Sequence, residues 1–478
     1  MTTSSTLRNA KLYGNEIIQT PIGDIELVHN YFDSEASQRL FDEMDYQRAC
    51  QTYLWSHPLV STTTWRDRQA AAYGVKDPYD FVVLRSLKEK RGIVTANLTT
   101  PYIVNFTSLK AGPLVVDYPA GDTAGAFMDF WQRPVADVGL TGPDQGQGAK
   151  YIIVGPEDDP QKYEEEGVYV IQSATNNLFF GLRILNPDPD FYEQFKSSLQ
   201  MGQDGQSLQT VNFIEDGDVE WSATAPRGIE YWQVLSSIIN EEPVRVVDKA
   251  WMAMLLPLGI EKGKTFNPDE RQTSILLEGG AMGELMARNL QVNPRFAEFY
   301  WEGTQWYKSF DFTLPQETDT RVELDERTTW FYEAVTSTEG MVNPTPGKGQ
   351  IYMTTKRDSQ GNPFRADKTY KLTVPNDVPV PPEQFWSLSL YSENTRRSYD
   401  NGGTEISSVS LDSRMENLQY NDDKSIDLFI GAEAPAGYES NFMKTVGEDG
   451  WFVYFRLYAP LDPFFDKTFS LPDFVEID

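Results

Sequence analysis

The sequence predicts a mainly β chain with a helical insert, and three features predict it. Aromatic residues reach 13%, with 27 Phe, 24 Tyr and 11 Trp, a composition suited to sheet faces and sandwich interiors. Short apolar runs divided by Gly, Pro and Asp recur in two blocks, one from about 75 to 185 and one after about 311. Between the blocks, from Gly228, the hydrophobic period becomes helical. A chain of 478 residues exceeds one ordinary core and fits about three domains.

The elements follow in order. Residues 34–57, SEASQRLFDEMDYQRACQTYLWSH, open with Ser34 as N-cap and repeat apolar residues at helical intervals, so a helix or two should precede Pro58. The runs DFVVLRSL, TPYIVNFTSL, GPLVVDYP, GAFMDFW, AKYIIVGP, GVYVIQSA and LFFGLRIL read as the strands of a β-sandwich. The passage beginning NPDPDFYEQF reads as a connection carrying a short helix, with Asp188 and Asp190 as turn residues. Three helices follow, in GIEYWQVLSSIIN, PVRVVDKAWMAMLL and NPDERQTSILLEGGAMGELMARNL. Gly279, Gly280 and Gly283 are costly inside the last of these and predict the close approach of another backbone. Strands resume in GQIYMTTKRD, KTYKLTVP, QFWSLSLYS, GTEISSVSL, SIDLFIG and GWFVYFRLYAP, with Asn401-Gly402 the best short-range hairpin signal. The expected segments are 1–74 (extension and leading helices), 75–205 (first β-domain), 206–310 (helical domain) and 311–478 (second β-domain).

Composition excludes several classes of function. A formal charge of −30 repels phosphate backbones and anionic lipid, which argues against a nucleic-acid partner or a membrane-surface role. The single cysteine, Cys50, permits no intrachain disulfide, and its setting in DYQRACQTYLW predicts a buried, inert thiol. The start MTTSSTLRNAKLYGNE lacks the basic and apolar regions of a secretory signal. The longest apolar stretch, AWMAMLLPLGI at 250–260, is about half of what a bilayer span needs, so no membrane span is expected. The native compartment is left open, periplasmic or secreted if a signal was removed and cytoplasmic otherwise.

Several phrases are familiar. AGPLVVDYPAGDTAGAFMDFW followed by TGPDQGQGAKYIIVGP resembles the bacterial domain of unknown function 1254. FWSLSLYS through LQYNDDKSIDLFIG and NFMKTVGEDGWFVYFRLYAP resembles the domain of unknown function 1214 that commonly follows it, and LPLGIEKGKTFNPDERQ fits the middle of such proteins. The resemblance runs from about Tyr46 to Pro472. It implies an N-terminal immunoglobulin-like sandwich, a helical middle domain and a C-terminal jelly-roll-like sandwich. It implies no activity.

The candidate residues are few. His57 stands where the family phrase usually carries a tyrosine, and Pro58 follows it, so a packing role is expected; His29 reads as a surface residue. Two histidines and one cysteine leave almost no zinc or iron ligand set, and no D-x-D-x-D-G loop appears, so no metal and no cofactor is expected. LGIEKGKT at 258–265 has the wrong spacing for a phosphate loop. Arg396-Arg397 reads as an exposed edge-strand charge pair, or else a carboxylate clamp.

The most suggestive polar positions lie in the first β-domain. Asn97, Thr100 and Tyr102 precede strand IVNF, Asp129 and Trp131 end strand AFMDFW, and Arg183 sits inside LFFGLRIL. Charged groups in β-runs are costly to bury unless paired, which predicts that Asp129 meets Arg183 across the sandwich. In the second β-domain, Trp386, Asn441, Trp451, Arg456 and Tyr458 stand out, Arg456 as another paired strand arginine. Two readings follow. One is a binding protein that takes a small molecule, a carbohydrate or a lipid-like ligand in an interdomain cleft through Asn97, Tyr102, Asp129, Trp131 and Arg183. The other is a hydrolase or lyase with Asp129 as its carboxylate. A homo-oligomer is compatible with either.

Overall fold

The structure is a computed structural model that describes residues 3–477 apart from Asp216 and Asp218. Its contacts divide the chain into two units. The smaller contains residues 1–56, 226–240 and 244–287; the larger contains 57–225, 241–243 and 288–478. The stretch 206–310, read from the sequence as one helical domain, is thereby shared between the units.

In the small unit, strands Thr3–Thr6, Glu16–Thr20, Gly23–Val28 and Tyr31–Phe32 form a four-stranded sheet in chain order. The helices supply the rest of its core. Gly279 and Gly283 of helix Glu270–Val292 face helix Ser34–Tyr73: a methyl at Gly279 would stand 2.5 Å from Ala49 Cβ and 3.3 Å from the Tyr46 carbonyl, and one at Gly283 would meet Tyr53 at 2.6 Å. These glycines admit the neighbouring helix, as their cost in a helix predicts. The Cys50 thiol is buried there, and burial pushes its pKa up, which keeps it inert.

The helix Ser34–Tyr73 corrects one expectation, because it runs straight through Pro58 instead of ending there. Residues 52–65 are buried without a break, and Thr62, Thr63 and Thr64 each return a hydroxyl bond to the carbonyl four residues back. Gln132 donates to the Pro58 carbonyl at 3.0 Å. Burial on all sides therefore outweighs the roughly 3 kcal/mol that an internal proline costs.

The large unit holds two sandwiches. In the first, a six-stranded sheet has the order Asn212–Ile214, Asp80–Leu84, Tyr102–Ser108, Asn177–Ile184, Thr123–Asp129, Pro134–Gly139. It packs Phe81, Ile103, Phe127, Phe180 and Leu182 against Leu114, Val116, Tyr151 and Ile153 of a five-stranded sheet. All seven runs read as strands are strands.

In the second sandwich, strands Gln350–Thr355, Trp451–Tyr458 and Trp386–Ser392 form the middle of a five-stranded sheet. One face carries Met353, Leu388, Val453 and Phe455, which pack on Leu372, Leu428 and Ile430 of a four-stranded sheet. Asn401-Gly402 makes no hairpin. The Asn401 amide instead bonds the carbonyls of Ser408 and Lys444, and a long connection joins strands Trp386–Ser392 and Ser410–Asp412.

Candidate functional site

Strand register decides which candidates can meet. Arg183 lies opposite Ala124 and Asp129 opposite Leu178, so the two are five residues apart along one strand and on opposite faces of the sheet. Five steps of about 3.4 Å separate them by about 17 Å, and the expected Asp129–Arg183 pair does not form. Asp129, 2% exposed, accepts the Arg133 backbone N–H at 2.8 Å and closes the turn after its strand. Trp131 is buried beside that turn, with the Arg327 guanidinium 5.8 Å from its ring centre.

Arg183 turns instead toward the second sandwich. Its guanidinium lies 4.6 Å from the centre of the Tyr102 ring and donates to the Tyr102 hydroxyl at 3.1 Å. That hydroxyl also accepts the Asn97 backbone N–H at 2.7 Å. The Asn97 side chain donates to the Tyr458 hydroxyl at 2.8 Å, and Thr99 bonds the same hydroxyl at 2.7 Å. Three candidates, Asn97, Tyr102 and Arg183, are thus brought together, and Tyr458 joins them; Asp129 and Trp131 are not part of the group.

Beneath this group lies the second face of the Gln350–Thr355, Trp451–Tyr458, Trp386–Ser392 sheet. Alternation places Tyr352, Thr354, Ser387, Ser389, Tyr454, Arg456 and Tyr458 on it together. Arg456, 1% exposed, has the rings of Tyr454, Tyr352 and Tyr391 at 5.0, 5.2 and 5.6 Å. It donates to Ser389 Oγ at 3.1 Å and to the Thr95 carbonyl at 3.3 Å, and its Nε has no hydrogen-bond partner. The expected carboxylate partner of Arg456 is absent among the described residues. Tyr391 donates to the Ala96 carbonyl at 2.7 Å, so residues 95–99 of the first sandwich lie across this face.

A third cation stands behind the same segment. Lys90, buried after the capping box of Ser86 and Glu89, donates to the carbonyls of Leu98 at 3.2 Å and Thr100 at 2.8 Å. Burial, and then the nearby charge of Arg183, pulls its pKa down to about 7. Thr95 carries φ +43°, a left-handed conformation that a β-branched residue seldom adopts, and its N–H donates to the Arg396 carbonyl at 2.7 Å. Arg183 and Tyr102 retain partial exposure, whereas Arg456, Lys90 and Tyr458 are buried.

Other expectations were overturned or placed elsewhere. Arg396 is buried, stacks 4.2 Å from the Tyr332 ring and donates to the carbonyls of Tyr332 and Asn394, so it is no exposed edge charge. Arg397 donates to the Trp221 carbonyl. His57 packs with its ring 5.2 Å from that of Tyr332, and His29 is exposed in a turn. Among the described residues no group of three His, Cys, Asp or Glu is placed to hold a metal ion, and no helix is long and apolar enough to cross a membrane. The sequence reading missed the Arg183–Arg456 proximity; the signal available was two arginines in otherwise apolar strands.

Residues 80–203 match the family described as "Protein of unknown function (DUF1254)", and residues 349–462 match "Protein of unknown function (DUF1214)". The chain carries a DUF1254 domain followed by a DUF1214 domain. Arg183 and Tyr102 belong to the DUF1254 domain, and Arg456 and Tyr458 to the DUF1214 domain. The fold is shared with the VPA0106 protein of Vibrio parahaemolyticus, at TM-score 0.54 and 14% identity over 91% of this chain and 100% of that one. A putative uncharacterized protein from Burkholderia cenocepacia gives TM-score 0.40 at 10% identity, covering 92% and 97% of the two chains. No curated protein matches.

Proposed function

We propose that the junction of the DUF1254 and DUF1214 domains binds a small organic anion, with Arg183 and Arg456 as its clamp and tyrosine hydroxyls around it. One observation carries the reading. Arg183, Arg456 and Lys90 gather in a chain of net charge −30, yet their hydrogen-bond partners among the described residues are hydroxyl and carbonyl oxygens. Like charges held together oppose one another, and no carboxylate among the described residues hydrogen-bonds to any of the three; an anion supplies that compensation through charge-assisted bonds.

Arg396 marks the contrast, since among the described residues its side chain donates to backbone carbonyls alone, whereas Arg183 and Arg456 donate to the side-chain hydroxyls of Tyr102 and Ser389. Partial exposure of Arg183 and Tyr102 gives the ligand an approach, and Tyr352, Tyr391 and Tyr454 provide ring faces beside it. The strained Thr95 fits a segment held in place for binding. Asn97 and Tyr102 then act as positioning residues that fix the Tyr458 hydroxyl and Arg183.

The test is thermal unfolding with acetate, citrate, benzoate and inorganic phosphate as probes, on the wild type and on Arg183→Gln. A probe at about a hundred times its Kd adds about 2.7 kcal/mol to stability and raises the melting temperature. At least one probe should raise the wild type and leave Arg183→Gln unmoved. Equal responses of the two proteins to every probe would remove the anion reading.

A further inference from the structure

A second site is formed on the far part of the same sheet, where a half-open pocket of about 280 Å³ is lined by Arg288, Lys356, Glu393, Asp449, Pro363 and Val292, among others. It shares no residue with the Arg183–Arg456 group. Its volume is at the small end of ligand pockets, which begin at about 300 Å³.

The charges around it are unevenly satisfied. Lys356 is already engaged: it pairs with Glu333 at 2.6 Å and lies 4.3 Å from the centre of the Phe452 ring. Burial pulls its pKa down, but Glu333 outweighs that and holds the ammonium above its ordinary value. Glu333 in turn accepts from the Tyr454 hydroxyl and from Gln291 Nε2. Glu393 is served less well. Lys356 stands 4.0 Å away and Gln291 bonds its Oε2 at 3.2 Å, while its Oε1 is buried with no hydrogen-bond partner. The Oε1 of Gln291, a residue 1% exposed, is likewise without a partner. On the same pocket Arg288 Nη2 is a buried donor with no acceptor.

Glu393, with an unmet acceptor, and Arg288, with an unmet donor, thus line a single small cavity whose wall also carries Asp449, Arg357 and Asn394 beside the apolar Val292, Pro363 and Phe364. Each unmet buried group costs about 1–3 kcal/mol, and a charged one costs more. A cationic ligand would leave Arg288 unanswered, and an anionic one would leave Glu393 unanswered. We infer that this pocket binds a zwitterion, an α-amino acid with an apolar side chain, its ammonium on Glu393, its carboxylate on Arg288 and its side chain against Val292 and Pro363.

Isothermal titration of the full chain with L-leucine, 4-methylpentanoate and isoamylamine tests this, because the second lacks only the ammonium and the third only the carboxylate. Leucine should bind at least tenfold more tightly than either half-analogue. Glu393→Gln and Arg288→Gln should each weaken leucine at least tenfold, whereas 4-methylpentanoate should weaken only in Arg288→Gln and isoamylamine only in Glu393→Gln. Should Glu393→Gln fail to fold, Arg288→Gln, altered at a partly exposed position, decides alone. Absence of leucine binding, equal affinity for the three compounds, or undiminished leucine binding by Arg288→Gln would overturn the inference.

Discussion

The central sheet of the DUF1214 domain has two faces that are buried to nearly the same degree and built from opposite materials. One presents Met353, Leu388, Val453 and Phe455 to a second sheet, each with no exposed surface. The other presents Tyr352, Thr354, Ser387, Ser389, Tyr454 and Arg456, also buried, to segment 95–99 and its surroundings. The first face stabilises by removal of apolar surface from water, at about 25 cal/mol per Å². The second gains that way only through its tyrosine rings, and it leaves Thr354 Oγ1, Ser387 Oγ and Arg456 Nε without partners. Burial alone therefore does not mark a core; what the buried atoms are offered in exchange for water does.

The contrast is sharpened first by Phe455→Ala, whose expected cost is about 3–5 kcal/mol in urea unfolding, as for other buried aromatics cut to alanine. Its neighbour in sequence points to the other face: Arg456→Met should cost less than half as much, because an uncompensated charge leaves with the lost hydrogen bonds. A larger loss for Arg456→Met than for Phe455→Ala would show that the polar face is a structural core after all.

Lys90 gives the next effect, as a pH dependence. Its pKa is near 10.5 in the unfolded chain and about 7 when folded. Between those values the unfolded chain holds a proton that the folded one has released, so this group makes stability rise with pH from about 7 toward 10. Urea unfolding at pH 7 and pH 9 should show that rise in the wild type and a smaller one in Lys90→Met; an unchanged slope would contradict the burial of a charge there. The smallest effect is expected at Ser387. Its hydroxyl is buried without a partner, so Ser387→Ala should shift unfolding by less than about 1 kcal/mol, and toward greater stability.

Much of this architecture was legible in the sequence because sheet texture is local. Runs such as LFFGLRIL and WFVYFRLY carry their own strand signal, and the first sandwich and both domain resemblances followed from such runs. The sheet of residues 3–32 lies outside the two blocks of strand texture, although EIIQT and DIELV flank a Pro-Ile-Gly turn. Pro58 misled because local backbone preference argued against helix, while continuous burial, a tertiary fact, decided for it. The site was half legible. Asn97, Tyr102 and Arg183 stand out as polar residues near strands, but the sequence alone points Arg183 to Asp129, from which register and face separate it. Its actual neighbours, Arg456 and Tyr458, lie near the other end of the chain, where no short-range pattern announces them.

The most direct measurement is calorimetric titration of the wild type and of Arg456→Met with whichever anion raises the melting temperature of the wild type. A clamp built on Arg183 and Arg456 requires that the variant keep its cooperative unfolding and lose the heat of binding. Undiminished binding by a folded Arg456→Met protein would contradict it.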